Sequence, residues 1–131
     1  QGVLCQRERL QVRTVVWTGS RGWEDRASVM DAIDSRRQPF RSIVGGARGF
    51  DTLVEEALRK RGLPFLRFDA NVAGDVRNLI MLEWLQRLDP NGIVIAGWDG
   101  KSPGTRNCIA EAEAMGISVW PIMYVPSLNG G

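Results

Sequence analysis

The stretch from Val12 to Asp51 decides the fold, because it repeats one unit twice: an apolar run, a glycine-rich turn and a helical pattern. The first unit reads Arg13-Thr-Val-Val-Trp-Thr18 and then Gly19-Ser-Arg-Gly-Trp23; the second reads Arg41-Ser-Ile-Val44 and then Gly45-Gly-Ala-Arg-Gly-Phe-Asp51. A buried strand that ends in small residues lets the backbone approach a ligand closely, and the following helix N-terminus supplies free N–H groups and a partial positive charge. The pattern therefore makes a nucleotide-type site the leading hypothesis.

The rest of the chain continues the alternation of strands and helices. Strands are predicted at 12–18, 40–44, 63–68, 93–97 and 117–122, and helices at 24–36, 52–61, 73–88 and 102–115. Thr52 and Glu55 have capping-box spacing, Ser102 and Pro103 suit the start of the last helix, and Gly62 and Gly116 follow helix ends. Short links between alternating strands and helices are typical of a parallel sheet with right-handed crossovers.

We therefore expect a single α/β domain, a Rossmann-like three-layer sandwich with a mainly parallel five-stranded sheet in the order 3-2-1-4-5. The domain should span 12–125, with an N-terminal arm at 1–11 and a flexible tail at 126–131. We set Gln1-Gly2 aside as a candidate remnant of an expression tag.

Composition excludes several classes of function. The 131 residues carry a net charge of +2, too small to favour nucleic acid as a partner. There is no histidine, which removes Ser-His and Cys-His catalysis and histidine metal sites, and the two cysteines have no metal-ligand spacing. No apolar run could span a membrane, and the N-terminus lacks the order of a signal peptide, so we expect a cytoplasmic protein without a metal site.

The ligand crevice of such a sheet lies outside the carboxyl ends of the strands, where the winding reverses. That rule brings together the loops at 19–23, 45–51 and 98–105, all of which carry glycine with Ser, Thr or Arg. Each also has a purely structural explanation: a tight turn at the first, a helix cap at Asp51, and a well-made helix start at Ser102. Trp23 could stack on a base, and Arg77-Asn78 is either a solvated pair or part of the same site.

The helix predicted at Ala73–Leu88 is apolar around most of its circumference. Such a helix is either deeply buried or packed against a partner. We expect a homo-oligomer, a dimer or higher, formed through this helix; the alternative is cover by the N- and C-terminal segments of the same chain.

Four motifs in order resemble a known family. They are Thr18-Gly-Ser-Arg-Gly-Trp23, Gly45-Gly-Ala-Arg-Gly-Phe-Asp51, Ala73-Gly-Asp-Val-Arg-Asn78 with Met81, and Ser102-Pro-Gly-Thr105. Together they are similar to the YspA-like branch of the SLOG superfamily, Rossmannoid proteins of bacteria and phages that include the LOG phosphoribohydrolases and the DNA-processing protein A family. The resemblance spans about residues 13 to 122.

The resemblance implies binding of a nucleotide or a nucleotide-derived ligand such as an ADP-ribose-like molecule. Combined with the loop analysis, it makes the candidate ligand-binding residues Gly19, Ser20, Arg21, Trp23, Gly45, Gly46, Ala47, Arg48, Gly49, Asp51, Gly74, Arg77, Asn78, Ser102, Gly104 and Thr105.

Two features depart from the family pattern. The loop at 69–73 is short and lacks the tryptophan usual in the YspA-like branch. The LOG motif Gly-Gly-x-Gly-Thr-x-x-Glu carries a catalytic glutamate, and Cys108 stands in its place, with Glu111 a further turn along. The arginine that precedes this motif has a counterpart in Arg77.

Three functions compete, and we rank them in this order. The first is a module that binds a nucleotide-derived ligand, as a sensor or a sequestering protein. The second is a LOG-like enzyme that hydrolyses an N-glycosidic or phosphate bond, with Asp51 and Arg77 as the catalytic candidates. The third is single-stranded DNA binding, with basic spots at 36–37 and 59–61 and with Trp17, Trp23 and Trp98 as stacking groups. No cofactor is evident, although Mg²⁺ can accompany a phosphate ligand.

Overall fold

The structure is a computed structural model that describes residues 12–37, 39–68 and 73–123. Its elements in chain order are β1 (Arg13–Gly19), α1 (Arg26–Asp34), β2 (Phe40–Val44), α2 (Phe50–Lys60), β3 (Phe65–Arg67), α3 (Gly74–Leu88), β4 (Ile93–Gly97), α4 (Pro103–Ala114) and β5 (Ser118–Pro121). The predicted arm at 1–11 with Gln1-Gly2, most of the loop at 69–73, and the tail at 126–131 lie outside the described residues.

The five strands form one parallel sheet in the order β3-β2-β1-β4-β5. This confirms the predicted α/β class and strand order. The winding reverses at β1, which pairs with β2 on one side and with β4 on the other.

Two hydrophobic cores cover the two faces of the sheet, because successive side chains of a strand point to opposite faces. Val15 and Trp17 of β1 pack in the core with α1 and α2, whereas Val16 packs in the core with α3 and α4. All three side chains are completely buried, and burying one apolar side chain of this size contributes about 1.5–3 kcal/mol. The predicted three-layer sandwich is therefore confirmed.

The observed first residues of the helices differ in part from the predicted ones. Helix α2 begins two residues before the predicted start, with Gly49 as its N-cap, so the capping box proposed for Thr52 and Glu55 is wrong. Thr52 lies inside the helix, and its hydroxyl donates to the Ala47 carbonyl at 3.1 Å. Ser102 is the N-cap of α4 and Pro103 its first residue, as predicted.

Helix α3 is buried on one side only. Met81, Leu82 and Leu85 are buried against the sheet, whereas Val76 is 47% and Trp84 43% exposed. The homo-oligomer through this helix stays a prediction. Among the described residues, no helix has the length and apolar character required to cross a membrane.

Candidate functional site

A cavity of about 310 Å³ lies at the carboxyl edge of the sheet, where β1 separates from β4 and the winding reverses. It is bounded by the loops after β1 and β2 and by the first turns of α3 and α4. Its volume is at the small end of the range for pockets that hold small molecules. Its lining consists of Thr18, Gly19, Arg21, Ala47, Asp51, Gly74, Arg77, Asn78, Met81, Ser102, Pro103, Gly104 and Thr105.

Ser20 joins the three loops that the sequence analysis brought together. Its backbone N–H donates to the Gly97 carbonyl at 2.8 Å, and its own carbonyl accepts from Phe50 N at 3.1 Å. Its hydroxyl oxygen accepts from Asp99 N at 3.0 Å. Because Ser20 is completely buried, these bonds fix the loops after β1, β2 and β4 relative to one another.

The Phe50 ring fills the space between the ends of β1 and β4. Gly19 and Gly97 are register partners, and a Cβ on either would lie 2.1 or 2.3 Å from the ring. The ring also packs edge-on against Trp23, with the centroids 5.6 Å apart. Phe50 is the first residue of α2, so this packing positions the first turn of α2, which carries Asp51.

Asp51 presents one satisfied and one unsatisfied oxygen. Its Oδ2 accepts from Ala47 N at 3.1 Å, and the backbone of Gly45 also acts to lower the pKa of this carboxyl group. Its Oδ1 is buried and has no hydrogen-bond partner in the described part of the chain. Asp51 therefore holds the loop before α2 and does not cap that helix, which corrects the structural alternative of a helix cap.

Burial raises the pKa of Asp51 to about 7, since the side chain is only 5% exposed and a carboxylate is poorly solvated there. The Ala47 N–H and the positive charge of Arg77 oppose this shift, and Glu55 adds to it. The carboxyl group consequently titrates near neutral pH.

Arg77 approaches Asp51 from α3. A Cβ built on Gly45 would lie 3.1 Å from Arg77 Nε and 3.2 Å from Asp51 Oδ2, so both side chains converge on this glycine. Arg77 Nε is buried and, like Asp51 Oδ1, has no hydrogen-bond partner among the described residues. Two residues that line the cavity thus each hold one unpaired buried polar atom, and buried polar groups in proteins are nearly always paired.

The first turns of α3 and α4 face the same cavity. Neither helix has a side-chain cap bond at its N-terminus. The two turns are linked by the buried Asn78, whose side-chain amide donates to the Gly104 carbonyl at 3.2 Å. A Cβ on Gly104 would meet nothing within 4 Å, so the space in front of α4 is open.

The loop that leads into α4 is shaped by Asp99. Its carboxylate accepts from Lys101 N at 2.8 Å and from Ser102 N at 2.9 Å, and these bonds hold its pKa below the usual range. The Ser102 hydroxyl donates to the same carboxylate at 3.2 Å. Asp99 therefore presents Ser102 and the start of α4 to the cavity.

The structure brings most of the candidate residues together. On the cavity wall are Gly19, Arg21, Ala47, Asp51, Gly74, Arg77, Asn78, Ser102, Gly104 and Thr105. Behind the wall are Ser20 and Gly45, whose roles are described above.

Three further candidates from the loop after β2 lie off the wall. Gly49 has φ +73°, and a Cβ there would lie 2.1 Å from the Arg21 carbonyl oxygen, so this glycine allows two loops to touch. Gly46 has φ +71° and abuts the Arg67 side chain. Arg48 is exposed and is not among the lining residues.

The prediction that Trp23 stacks on a ligand is wrong. Its side chain is 2% exposed, and its indole N–H donates to the Asp25 carbonyl and the Ser28 hydroxyl, both at 3.1 Å. Trp17 is equally unavailable, because it is fully buried and donates to Ser42 Oγ at 2.9 Å.

The basic spots proposed for DNA are partly neutralised. Arg61 pairs with Asp34 at 2.8 Å, and Arg59 pairs with Glu55 at 3.3 Å. With two of three tryptophans buried as well, the case for single-stranded DNA binding is weaker than the sequence indicated.

Cys108, which the sequence analysis aligned with the LOG glutamate, is completely buried. Burial raises the pKa of its thiol to about 11, despite a hydrogen bond with Thr18 that lowers it. The thiol is therefore protonated at neutral pH and is a poor nucleophile.

The list of candidates omitted three lining residues, Thr18, Met81 and Pro103. Thr18 ends the apolar run directly before Gly19, and Pro103 stands between Ser102 and Gly104, so adjacency to predicted residues was the available signal. Met81 lies four residues after Arg77, one turn along the same face of α3.

Within the described ranges, no three Cys, Asp or Glu side chains are grouped to hold a metal ion. No family model matches the chain, and no solved structure matches it. The chain is similar to the Gene 61 protein of Mycobacterium phage D29, with 34% identity over 123 residues that cover 82% of this chain and 94% of the relative.

Proposed function

We propose that the cavity binds a nucleotide or a nucleotide-derived ligand such as an ADP-ribose-like molecule. The chain belongs to the family of the Gene 61 protein of Mycobacterium phage D29. One observation carries the proposal. A cavity at the reversal point of a parallel sheet is lined by an arginine and an aspartate, each with one buried polar atom that has no hydrogen-bond partner among the described residues.

The phosphate groups of such a ligand would lie at the N-terminal ends of α3 and α4. Free N–H groups and the helix dipole favour an anion at these two first turns. Arg77 stands in the first turn of α3, and the exposed Arg21 stands across the cavity on the loop after β1. Guanidinium groups suit phosphate because their geometry matches its oxygens.

Binding for sensing or sequestration is favoured over turnover. The chain has no histidine, and Cys108 in the position of the LOG glutamate is a buried, protonated thiol. The resemblance to the YspA-like branch of the SLOG superfamily supports the same ligand class. The phage relative supports the host cytoplasm as the place of action.

The first test is mass spectrometry of small molecules released from the purified protein, combined with a thermal-shift panel. The panel contains ADP-ribose, cyclic dinucleotides, NAD, AMP and nucleotide sugars, with and without Mg²⁺. A ligand present at 100 times its Kd should stabilise the protein by about 2.7 kcal/mol. If none of these compounds is released and none raises Tm at millimolar concentration, the proposal fails.

A matched pair of variants on α3 ties binding to the cavity. Arg77→Gln removes the unpaired donor, whereas Arg87→Gln removes an exposed arginine in the last turn of the same helix. Only Arg77→Gln should lose the ligand-induced shift in Tm. Equal loss in both variants would show that the ligand does not use the cavity.

A second candidate is hydrolysis of the ligand, since a carboxyl group with a pKa of about 7 suits general acid–base catalysis at neutral pH. In that case water would replace the base at the sugar C1′ while Asp51 transfers the proton that the leaving base needs, and Arg77 would hold the phosphate that stays on the ribose. Chromatography of a stabilising ligand after incubation distinguishes the two functions. Release of free base and ribose phosphate that Asp51→Asn abolishes would favour the enzyme.

A further inference from the structure

We propose that Asp51 selects ligands by accepting a hydrogen bond from a sugar hydroxyl, so that the site prefers ribose-containing phosphate esters to their deoxy analogues. This inference rests on the proposed function and names the part of the ligand that the buried carboxylate recognises.

One carboxylate oxygen of Asp51 is left unpaired. Asp51 Oδ1 has no partner among the described residues, while Oδ2 already accepts from the backbone of the loop before α2. A buried carboxylate oxygen without a partner loses its hydration and gains nothing in return. A ligand that fills this cavity must therefore bring a hydrogen-bond donor to Oδ1.

The positive charge of Arg77 affects which donor can approach Asp51. Arg77 lies close to Asp51, and both side chains converge on Gly45. A cationic donor, such as an ammonium group or a metal ion, would be repelled by the guanidinium at this distance. A neutral donor meets no such repulsion and Arg77 favours an anion, so a ligand with both a neutral donor and a negative group matches this pair of side chains.

The two side chains are also close together. A Cβ on Gly45 would lie 3.1 Å from Arg77 Nε and 3.2 Å from Asp51 Oδ2, so a ligand that contacts both side chains carries its donor near its anion. In a 5′-nucleotide, the sugar hydroxyls are closer to the phosphate than the polar edge of the base is. A phosphorylated ribose meets this requirement, and the base then lies farther out.

The expected consequence is strong discrimination by a single group. A site built to bond a hydroxyl rejects the analogue that lacks it, because the analogue leaves the buried acceptor unpaired. Discrimination should be largest above pH 7, where Asp51 is ionised. The groups whose charge acts on its ionisation are Arg77 of α3 and Glu55 of α2, and the nearby Cys108 thiol of α4 stays protonated.

The test is isothermal titration at pH 8 with AMP, 2′-deoxy-AMP, 3′-deoxy-AMP and 2′,3′-dideoxy-AMP, each bound to the wild-type protein and to Asp51→Asn. Wild type should bind AMP at least tenfold more tightly than the dideoxy analogue, and the single deoxy compounds show which hydroxyl is used. Because the amide oxygen keeps the bond from Ala47 N, Asp51→Asn puts an NH2 group in place of Oδ1 and removes the ionised acceptor, so the ratio should fall.

The outcomes separate this inference from the function on which it rests. If AMP and the dideoxy analogue bind wild type equally, nucleotide binding stands and hydroxyl selection by Asp51 is wrong. If the ratio persists in Asp51→Asn, another group reads the hydroxyl and the inference is again wrong. If none of the four binds, both this inference and the binding of 5′-mononucleotides are overturned. Asp31→Asn, an exposed carboxylate on α1, is the control and should retain the wild-type ratio.

Discussion

Replacing Asp51 with asparagine should change how the stability of the empty protein depends on pH. Asparagine has nearly the shape of a protonated aspartate, so its amide oxygen can keep the hydrogen bond from Ala47 N. Unlike aspartate it does not titrate. The variant therefore reports what the ionisation of one buried group contributes to folding.

The sign follows from the two pKa values. The unfolded carboxyl titrates near 3.8, and burial raises its pKa in the folded protein to about 7. Between these values the folded state binds the proton and the unfolded state does not, so the free energy of unfolding decreases as pH rises through this window and levels off above it. The pKa difference is roughly three units at about 1.4 kcal/mol each, so the free energy of unfolding should decrease by an amount on the order of 4 kcal/mol.

Urea unfolding of wild type and Asp51→Asn from pH 4 to pH 8 measures the difference directly. The stability of the variant relative to wild type should rise by several kcal/mol across the range. The exposed Asp31→Asn variant should show no comparable trend. A difference that does not vary with pH would refute the reasoning, since it would mean that Asp51 titrates alike in the folded and unfolded chain.

Three more predictions concern packing and assembly. Gly19→Ala should reduce the free energy of unfolding by about 1–3 kcal/mol, because the added methyl group would overlap the Phe50 ring. Gly22→Ala is the control and should be near neutral, because a Cβ there meets no described atom within 4 Å. Urea unfolding compares the two variants. Ser20→Ala removes a buried hydroxyl acceptor and should lower stability by about 1 kcal/mol, with faster amide exchange in the loop after β4 as the specific readout. Trp84→Glu on the exposed face of α3 should convert an oligomer to a monomer in light scattering; a wild-type protein that is monomeric at high concentration would contradict the oligomer prediction.

The sheet could be predicted because its signals are local. Apolar runs such as Ile93–Gly97, each followed by small residues and a helical pattern, leave few alternatives to a parallel sheet, and chain connectivity then limits the strand order. The predicted positions of the helix ends were less accurate. Gly49 at φ +73° starts α2 before the capping-box pattern at Thr52, and nothing in the local sequence specifies that angle.

The cavity wall was largely predictable for the same reason, since one topological rule places the loop ends together. What the sequence could not show is which side of a loop each side chain faces. Trp23 and Arg21 belong to one turn, yet the indole packs inward on Phe50 while Arg21 is exposed and lines the cavity. Likewise, only the packed structure reveals that Asp51 Oδ1 and Arg77 Nε have no hydrogen-bond partner among the described residues.

The junction at Ser20 has a consequence for the kinetics of binding. Because one buried residue bonds the loops after β1, β2 and β4, these three walls of the cavity are in place before a ligand arrives. A preorganised site loses little conformational entropy on association, and encounter need not wait for a slow rearrangement. Ligands that differ in affinity should accordingly associate at similar rates and differ chiefly in how long they stay bound.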